Sequence, residues 1–169
     1  MSPLTAQKIA DVLGCMLPTT KMARMIWTAA PGKIPPSPWG PPYDATMMST
    51  DRIVAHNERI DAKITKLGLC VHGLLAGHKK DVVLSVKLVA RPKQVAIFGW
   101  FQAKGTPIQP LYLGHENTYA DYSHGIRLVS LQCMLDGAPA SLADILKDPV
   151  LHVGVSDEGI MSIIRQPLA

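Results

Sequence analysis

Hydrophobic positions follow two regimes along the chain. Up to residue 68 they recur at helical spacing, and beyond it they alternate or run together as strands do. Ser2-Pro3 offers an N-cap and a first-turn proline, Ile9, Val12 and Leu13 share a face, and Gly14 stops the run. Pro18-Thr19-Thr20 starts a second helix with Met22, Met25, Ile26 and Ala29 inward, ended by Pro31-Gly32. Residues 31–46 then hold six prolines and predict an extended, semi-rigid connection, pinned to the domain by Trp39 and Tyr43. Ser49-Thr50-Asp51 begins a third helix carrying Ile53, Val54, Asn57, Ile60, Ile64 and Leu67 on its apolar stripe, with Gly68 at the end. Asn57 on that stripe is expected to bond a buried backbone group.

From residue 69 onward the pattern predicts strands. Residues 81–89 are β-branched and alternating, 94–101 follow Arg91-Pro92, and Lys104-Gly105 turns the chain into 107–113 as a hairpin. Residues 125–135 read as a further strand closed by Asp136-Gly137. Ser141 caps a short helix (Leu142, Ile145, Leu146) stopped by Asp148-Pro149, and 159–165 reads as a last edge strand. No internal repeat is visible. Helices followed by a meander predict an α+β fold, with N-terminal helices packed on a mainly antiparallel sheet. A single domain over 1–169 is expected, helical over 1–68 and mainly β over 69–169.

Composition narrows the function classes. At 169 residues, 47% of them hydrophobic, the chain is long and apolar enough for one full core. No apolar run approaches the roughly 20 residues that span a bilayer. Lys8 and Asp11 interrupt the N-terminal apolar residues, which therefore do not read as a signal peptide. An extracellular or envelope location, favoured by the chemistry below, then implies a mature or shortened form. The formal charge of +4 mildly favours a polymeric or anionic substrate. Nucleic acid is a poor fit, because Lys and Arg are scattered outside His78-Lys79-Lys80 and aromatics are sparse. Cys15, Cys70 and Cys133 lie in apolar surroundings without a Cys-x-x-Cys pair, which predicts three buried thiols and no structural zinc. No cofactor is expected.

Candidate chemistry concentrates at 114–127, which holds His115, Tyr119, Asp121, Tyr122, Ser123, His124 and Arg127 between apolar runs. A core has no use for that density of proton-transfer groups, and a site does. His78, His115 and His124 each adjoin a glycine at a predicted strand end, where a substrate can approach closely. Metal binding by these three is conceivable, although no His-x-x-x-His spacing supports it. If the chain turns at Lys79-Lys80, Asp81 orients His78 and one of the two lysines supplies positive charge. In an extended segment Asp121 and Ser123 share one face and Tyr122 and His124 the other, making Tyr122 and His124 a donor and general-base pair. Lys79, Ser123 and Arg127 are candidates for holding substrate, Arg127 as a bidentate clamp on an anion.

Two resemblances attach to these residues. Ser123-His124-Gly125-Ile126-Arg127-Leu128 resembles the Ser-His-Gly-Cys-Ile-Arg-Leu signature of L,D-transpeptidases without its nucleophilic cysteine. Leu17-Pro18-Thr19 with Lys21-Met22, residues 76–83 (AGHKKDVV), 107–113 before Gly114-His115, and 119–128 (YADYSHGIRL) resemble blocks shared by an uncharacterised group of bacterial proteins. That likeness implies that His78, His115 and His124 sit in characteristic blocks. It also implies that the chain is a shortened member, since members carry extra N-terminal sequence.

The leading expectation is a hydrolytic or lytic enzyme acting on an extracellular or cell-wall polymer. His124 is the expected base or acid, with His115 as partner, Tyr122 as donor, Asp81 or Asp121 orienting a histidine, and Lys79 or Arg127 holding an anion. One alternative is a non-catalytic envelope or virion module whose proline-rich arm docks a partner. A second is an RNA-cleaving enzyme using His78, Lys79 and His124.

Overall fold

A computed structural model describes residues 1–168, and its architecture is α+β. Helices α1 (Pro3–Val12), α2 (Thr20–Ala29) and α3 (Thr50–Lys66) precede most of the strands, and α4 (Leu142–Lys147) follows them. The strands are β1 (Cys15–Met16), β2 (Gly32–Lys33), β3 (Leu75–Ala76), β4 (Lys80–Val82), β5 (Gln94–Phe101), β6 (Pro107–Glu116), β7 (His124–Gly125), β8 (Val129–Ser130), β9 (Gln132–Leu135) and β10 (Ala138–Ser141). A four-stranded sheet in the order β6-β5-β4-β7 is antiparallel except for the parallel β4–β7 edge. Three two-stranded pairs, β1–β8, β9–β10 and β2–β3, tie the remaining segments together.

Alternation along β4 and β5 splits the interior into two layers. Val82, Leu84, Val95 and Ile97 pack with Ala6, Met16, Leu17, Met22, Leu142, Leu146 and Met161. Val83, Ala96 and Phe98 meet Ala23, Leu88, Phe101 and Leu113 in the other layer. A third cluster, Met47, Trp100 and Tyr122 with Trp39 and Ile53, lies apart from both and forms part of the site described below.

The helix starts are set by local chemistry. The side chains of Ser2, Thr19, Ser49 and Ser141 each accept a hydrogen bond from a backbone amide of the following helix, satisfying a donor that the helix leaves free. The inward faces differ from those the apolar pattern suggests. In α1 the buried residues are Pro3, Ala6, Gln7 and Ala10, whereas Val12 is 85% exposed. Small residues there let the helix approach the core closely, and that closeness outweighs the hydrophobicity of Val12 and Leu13. In α2 Met22 and Ala23 are buried but Met25 is exposed, and in α3 His56 and Ile60 are buried while Asn57 is exposed.

Other expectations change with the tertiary pairing. Residues 81–89 form only β4 before a 3-10 turn at Val86–Leu88. The 125–135 strand breaks into β7, β8 and β9, each with a different partner, and 159–165 contains no strand. Tyr43 is 76% exposed and does not pin the proline-rich arm, which is held instead by Trp39, the buried Ile34 and hydrogen bonds from Lys63 and His56 to the carbonyls of Pro35, Pro36 and Ser37. The cysteines are free, with Cys70 exposed and Cys15 and Cys133 half-buried rather than fully buried. No helix is long and apolar enough to cross a membrane among the described residues.

Candidate functional site

Residues 117–123 run from β6, one edge of the main sheet, to β7, the other, and their backbone turns at Asp121. Asp121 Oδ1 accepts from the Ser123 amide at 2.8 Å and from Ser123 Oγ at 2.6 Å, an Asx-type turn. Asp121 Oδ2 accepts from the Tyr119 hydroxyl at 3.1 Å. The turn breaks the two-face alternation of an extended chain. Asp121, Ser123 and His124 converge, with His124 Nε2 3.9 Å from Asp121 Oδ1, and Tyr122 points elsewhere.

His115 joins this group. Its ring stacks on Tyr119 at 4.0 Å between centroids and lies 6.2 Å from the His124 ring, while Tyr119 meets His124 edge-on at 5.4 Å. The two histidines come from opposite edges of the sheet, β6 and β7 not being paired, and the 117–123 connection brings them together. Lys80 stands beside His124 in the β4–β7 register, and its Nζ lies 4.9 Å from the centre of the Trp100 ring.

Burial and neighbouring charges shift every titratable group in this cluster. Burial pushes the Asp121 carboxyl up, but the adjacent His124, the Ser123 hydroxyl, Lys80 and the Ser123 amide together hold it below the ordinary range, so it is ionised. His124 has no exposed side-chain surface and neither ring nitrogen has a partner; burial pushes it down to about 4, leaving a neutral imidazole. Burial also lowers His115 and Lys80, and it pushes Tyr119 up to about 12 with help from Asp121.

The cluster opens on a cleft of about 240 Å³ through Lys80, Tyr119 and Asp121. The chain has only three Trp, four Tyr and two Phe, and five of these, Trp39, Tyr43, Trp100, Tyr119 and Tyr122, line this one cleft. The Trp39 amide donates to the Tyr122 hydroxyl at 2.9 Å, and the Arg59 guanidinium covers the Trp39 ring at 3.6 Å. Trp100 takes a left-handed backbone (φ 59°) after Gly99 (φ 114°), where the β5–β6 register slips. A bulky residue held at positive φ is strained, and such strain collects at functional sites. Its Nε1 donates to the His78 carbonyl at 3.0 Å, which fixes the ring at the cleft.

The remaining candidates lie in two other clusters. Lys79 alternates with Lys80 and turns away from the cleft. Its Nζ donates to His56 Nδ1 at 2.9 Å and to the Tyr122 carbonyl at 2.6 Å, so His56 Nε2 carries the proton and donates to the Ser37 carbonyl at 3.2 Å. Burial and the neighbouring Lys79 push His56 down to about 4, and burial lowers Lys79 to about 8. Arg127 Nη2 donates to the Leu75 carbonyl at 2.9 Å and its Nε lies 3.8 Å from Asp81, so it braces β3 and β4 and does not line the cleft. Asp81 is buried and its carboxyl is pushed up to about 6. Burial, with the neighbouring Lys79, Arg127 and His56, pushes His78 down to about 4, and His78 does not line the cleft. Ser123 is fully buried and bound to Asp121, so it cannot hold substrate as expected. No group of three or more His, Cys, Asp or Glu side chains able to hold a metal occurs among the described residues.

Sequence reasoning gave His56 and Trp100 no part in the site and Trp39 only an anchoring role. Spacing did not single out His56: it and Asn57 stand three and four residues after Ile53, equally close to the Ile53–Ile60 line, and only the packing buries one and exposes the other. The Lys79–His56 contact also makes a stability prediction. Lys79→Met would leave His56 Nδ1 and the Tyr122 carbonyl unpaired, and urea unfolding should show a loss of about 1–3 kcal/mol. Lys79→Arg, which keeps a charged donor, should lose less than Lys79→Met. Equal losses in the two variants would contradict this account.

Comparison of the chain with family models, with curated proteins and with solved structures returned no match.

Proposed function

We propose that the chain is a hydrolytic or lytic enzyme acting on an extracellular or cell-wall polymer, with Asp121 at its centre. The supporting observation is the set of groups on one cleft wall: an ionised carboxylate, a protonated tyrosine hydrogen-bonded to it, and an ammonium, backed by two histidines. Asp121 is the base and Tyr119 the donor. Lys80 faces developing or resident negative charge. His124 is buried and His115 packs on Tyr119, so both position the reacting groups without touching substrate.

These roles replace several expected ones: Asp121 for His124 as the base, Tyr119 for Tyr122 as the donor, and Lys80 for Lys79 and Arg127 as the anion holder. They also weigh against the RNA-cleaving trio, because Lys79 is engaged by His56 and the Tyr122 carbonyl. The transpeptidase-like signature contributes no nucleophile. Cys133, the cysteine nearest to it in sequence, lies in β9 with its Sγ on the Ala140 carbonyl.

The test is product analysis by mass spectrometry after incubation with peptidoglycan sacculi and a panel of extracellular polysaccharides. Cleavage of one polymer, slowed about 10²-fold or more by Tyr119→Phe, is expected. Cleavage unaffected by Tyr119→Phe would remove this centre from the reaction. No cleavage of any polymer would leave the non-catalytic module as the better account.

A further inference from the structure

We infer that the polymer is built of uronic acid units and is cut by β-elimination, with Lys80 on the sugar carboxylate, Asp121 taking the proton next to it, and Tyr119 protonating the leaving oxygen. This rests on the function proposed above and names its substrate class.

Lys80 carries the first part of the argument. It lines the cleft, and among the described residues no carboxylate lies within 4 Å of its Nζ and no hydrogen-bond acceptor is assigned to it. Lys79, one residue earlier, has its acceptors supplied by the fold. A half-buried ammonium that rests on an aromatic ring but has no carboxylate beside it on an open wall calls for an anionic group from outside. The aromatic lining supplies the second part. Aromatic faces are electron-rich and attract the C–H faces of a pyranose ring. Trp100 is buried and its face is covered by Lys80, so the exposed Tyr43 and the half-buried Tyr119 offer the stacking surface, in the same cleft as the ammonium.

The chemistry then balances within the cleft. Pairing the carboxylate with Lys80 stabilises the negative charge that develops when the adjacent carbon loses its proton. Asp121 takes that proton. The electron pair of the broken C–H bond forms the new C=C bond, and the pair of the neighbouring C–O bond leaves on the oxygen. Tyr119 protonates that oxygen, so a hydroxyl end and an unsaturated uronate end result without water. Asp121 returns its proton to Tyr119 through the 3.1 Å hydrogen bond already present, which resets both groups. Substrate also strengthens the base: Lys80 is one of the charges holding Asp121 down, and a bound carboxylate neutralises it.

Hydrolysis by paired carboxyl groups fits the cleft less well. It needs a carboxylic acid held protonated beside the base. The second carboxylate of the lining, Asp44, is held low by the Thr46 hydroxyl and amide, and Asp81, which is raised, lies beside Arg127 outside the lining.

Polymannuronate, polygalacturonate and polyglucuronate are the probes, with peptidoglycan and a neutral β-glucan alongside. Ultraviolet absorbance of the conjugated C=C–carboxylate and reducing ends are measured together. The expected result is one new unsaturated end per new reducing end on a uronate polymer. Lys80→Gln should slow it about 10²-fold, and methyl esterification of the polymer should remove most of that difference. Reducing ends without unsaturation would overturn the elimination and leave the hydrolytic reading standing. Absence of product from every polymer would overturn the enzyme reading itself.

Discussion

Asp121→Asn is expected to lower turnover by about 10²–10⁴-fold while leaving the protein folded. The substitution keeps the volume of the side chain and one carbonyl oxygen, so the Ser123 amide and hydroxyl retain an acceptor where Asp121 Oδ1 now sits. It removes the negative charge and places an amide nitrogen where Tyr119 now donates to Oδ2. Two roles fail together, since the base is gone and Tyr119 loses the group that returns its proton. The loss should appear in kcat more than in KM, because Lys80 and the aromatic lining, which would hold substrate, are untouched. Steady-state kinetics paired with a thermal melt separate the two readouts. A folded variant with unchanged kcat would exclude Asp121 from the chemistry.

Local chemistry was legible in the sequence and pairing across the sheet was not. Ser2, Thr19, Ser49 and Ser141 announce helix starts because a short polar side chain at that position answers a specific backbone amide. Gly105 and Asp136-Gly137 announce turns because left-handed backbone is needed there. The parallel β4–β7 edge leaves no such mark: two or three residues are too short for any periodicity, and their partner is 44 residues away in the register Lys80 to His124.

The site followed the same division. A density of polar groups between apolar runs located the segment, and the convergence of His115 with His124 was anticipated, although by a different route. The individual roles depended on one turn. Once Asp121 binds the Ser123 amide, parity along the segment changes, so Tyr119 meets His124 and Tyr122 packs at 4.8 Å against His56. No spacing rule brings Trp39, Trp100 and Tyr122 together from three distant segments.

The same burial makes the fold sensitive to acid. His56, His78 and His124 are each pushed from the ordinary 6.5 down to about 4, in every case mainly by burial. A base whose folded value is lowered binds fewer protons folded than unfolded between the two values. Stability therefore rises with pH through that window and is lost as pH falls from 6.5 towards 4. The loss is about 3 kcal/mol for each imidazole. Asp81 works in the opposite sense: burial raises it to about 6, so protonating it below pH 6 returns about as much as one histidine loses. The net loss is on the order of 6 kcal/mol, comparable with the whole stability of many domains. Urea midpoints at pH 7 and pH 4.5 should differ accordingly, with the acid midpoint near zero. His78→Gln should flatten the dependence by about one proton, because its Nδ1 is buried without a partner and an amide carries no charge to bury. Equal midpoints at the two pH values would mean that these imidazoles reach solvent and that the dry interior behind the cleft is absent.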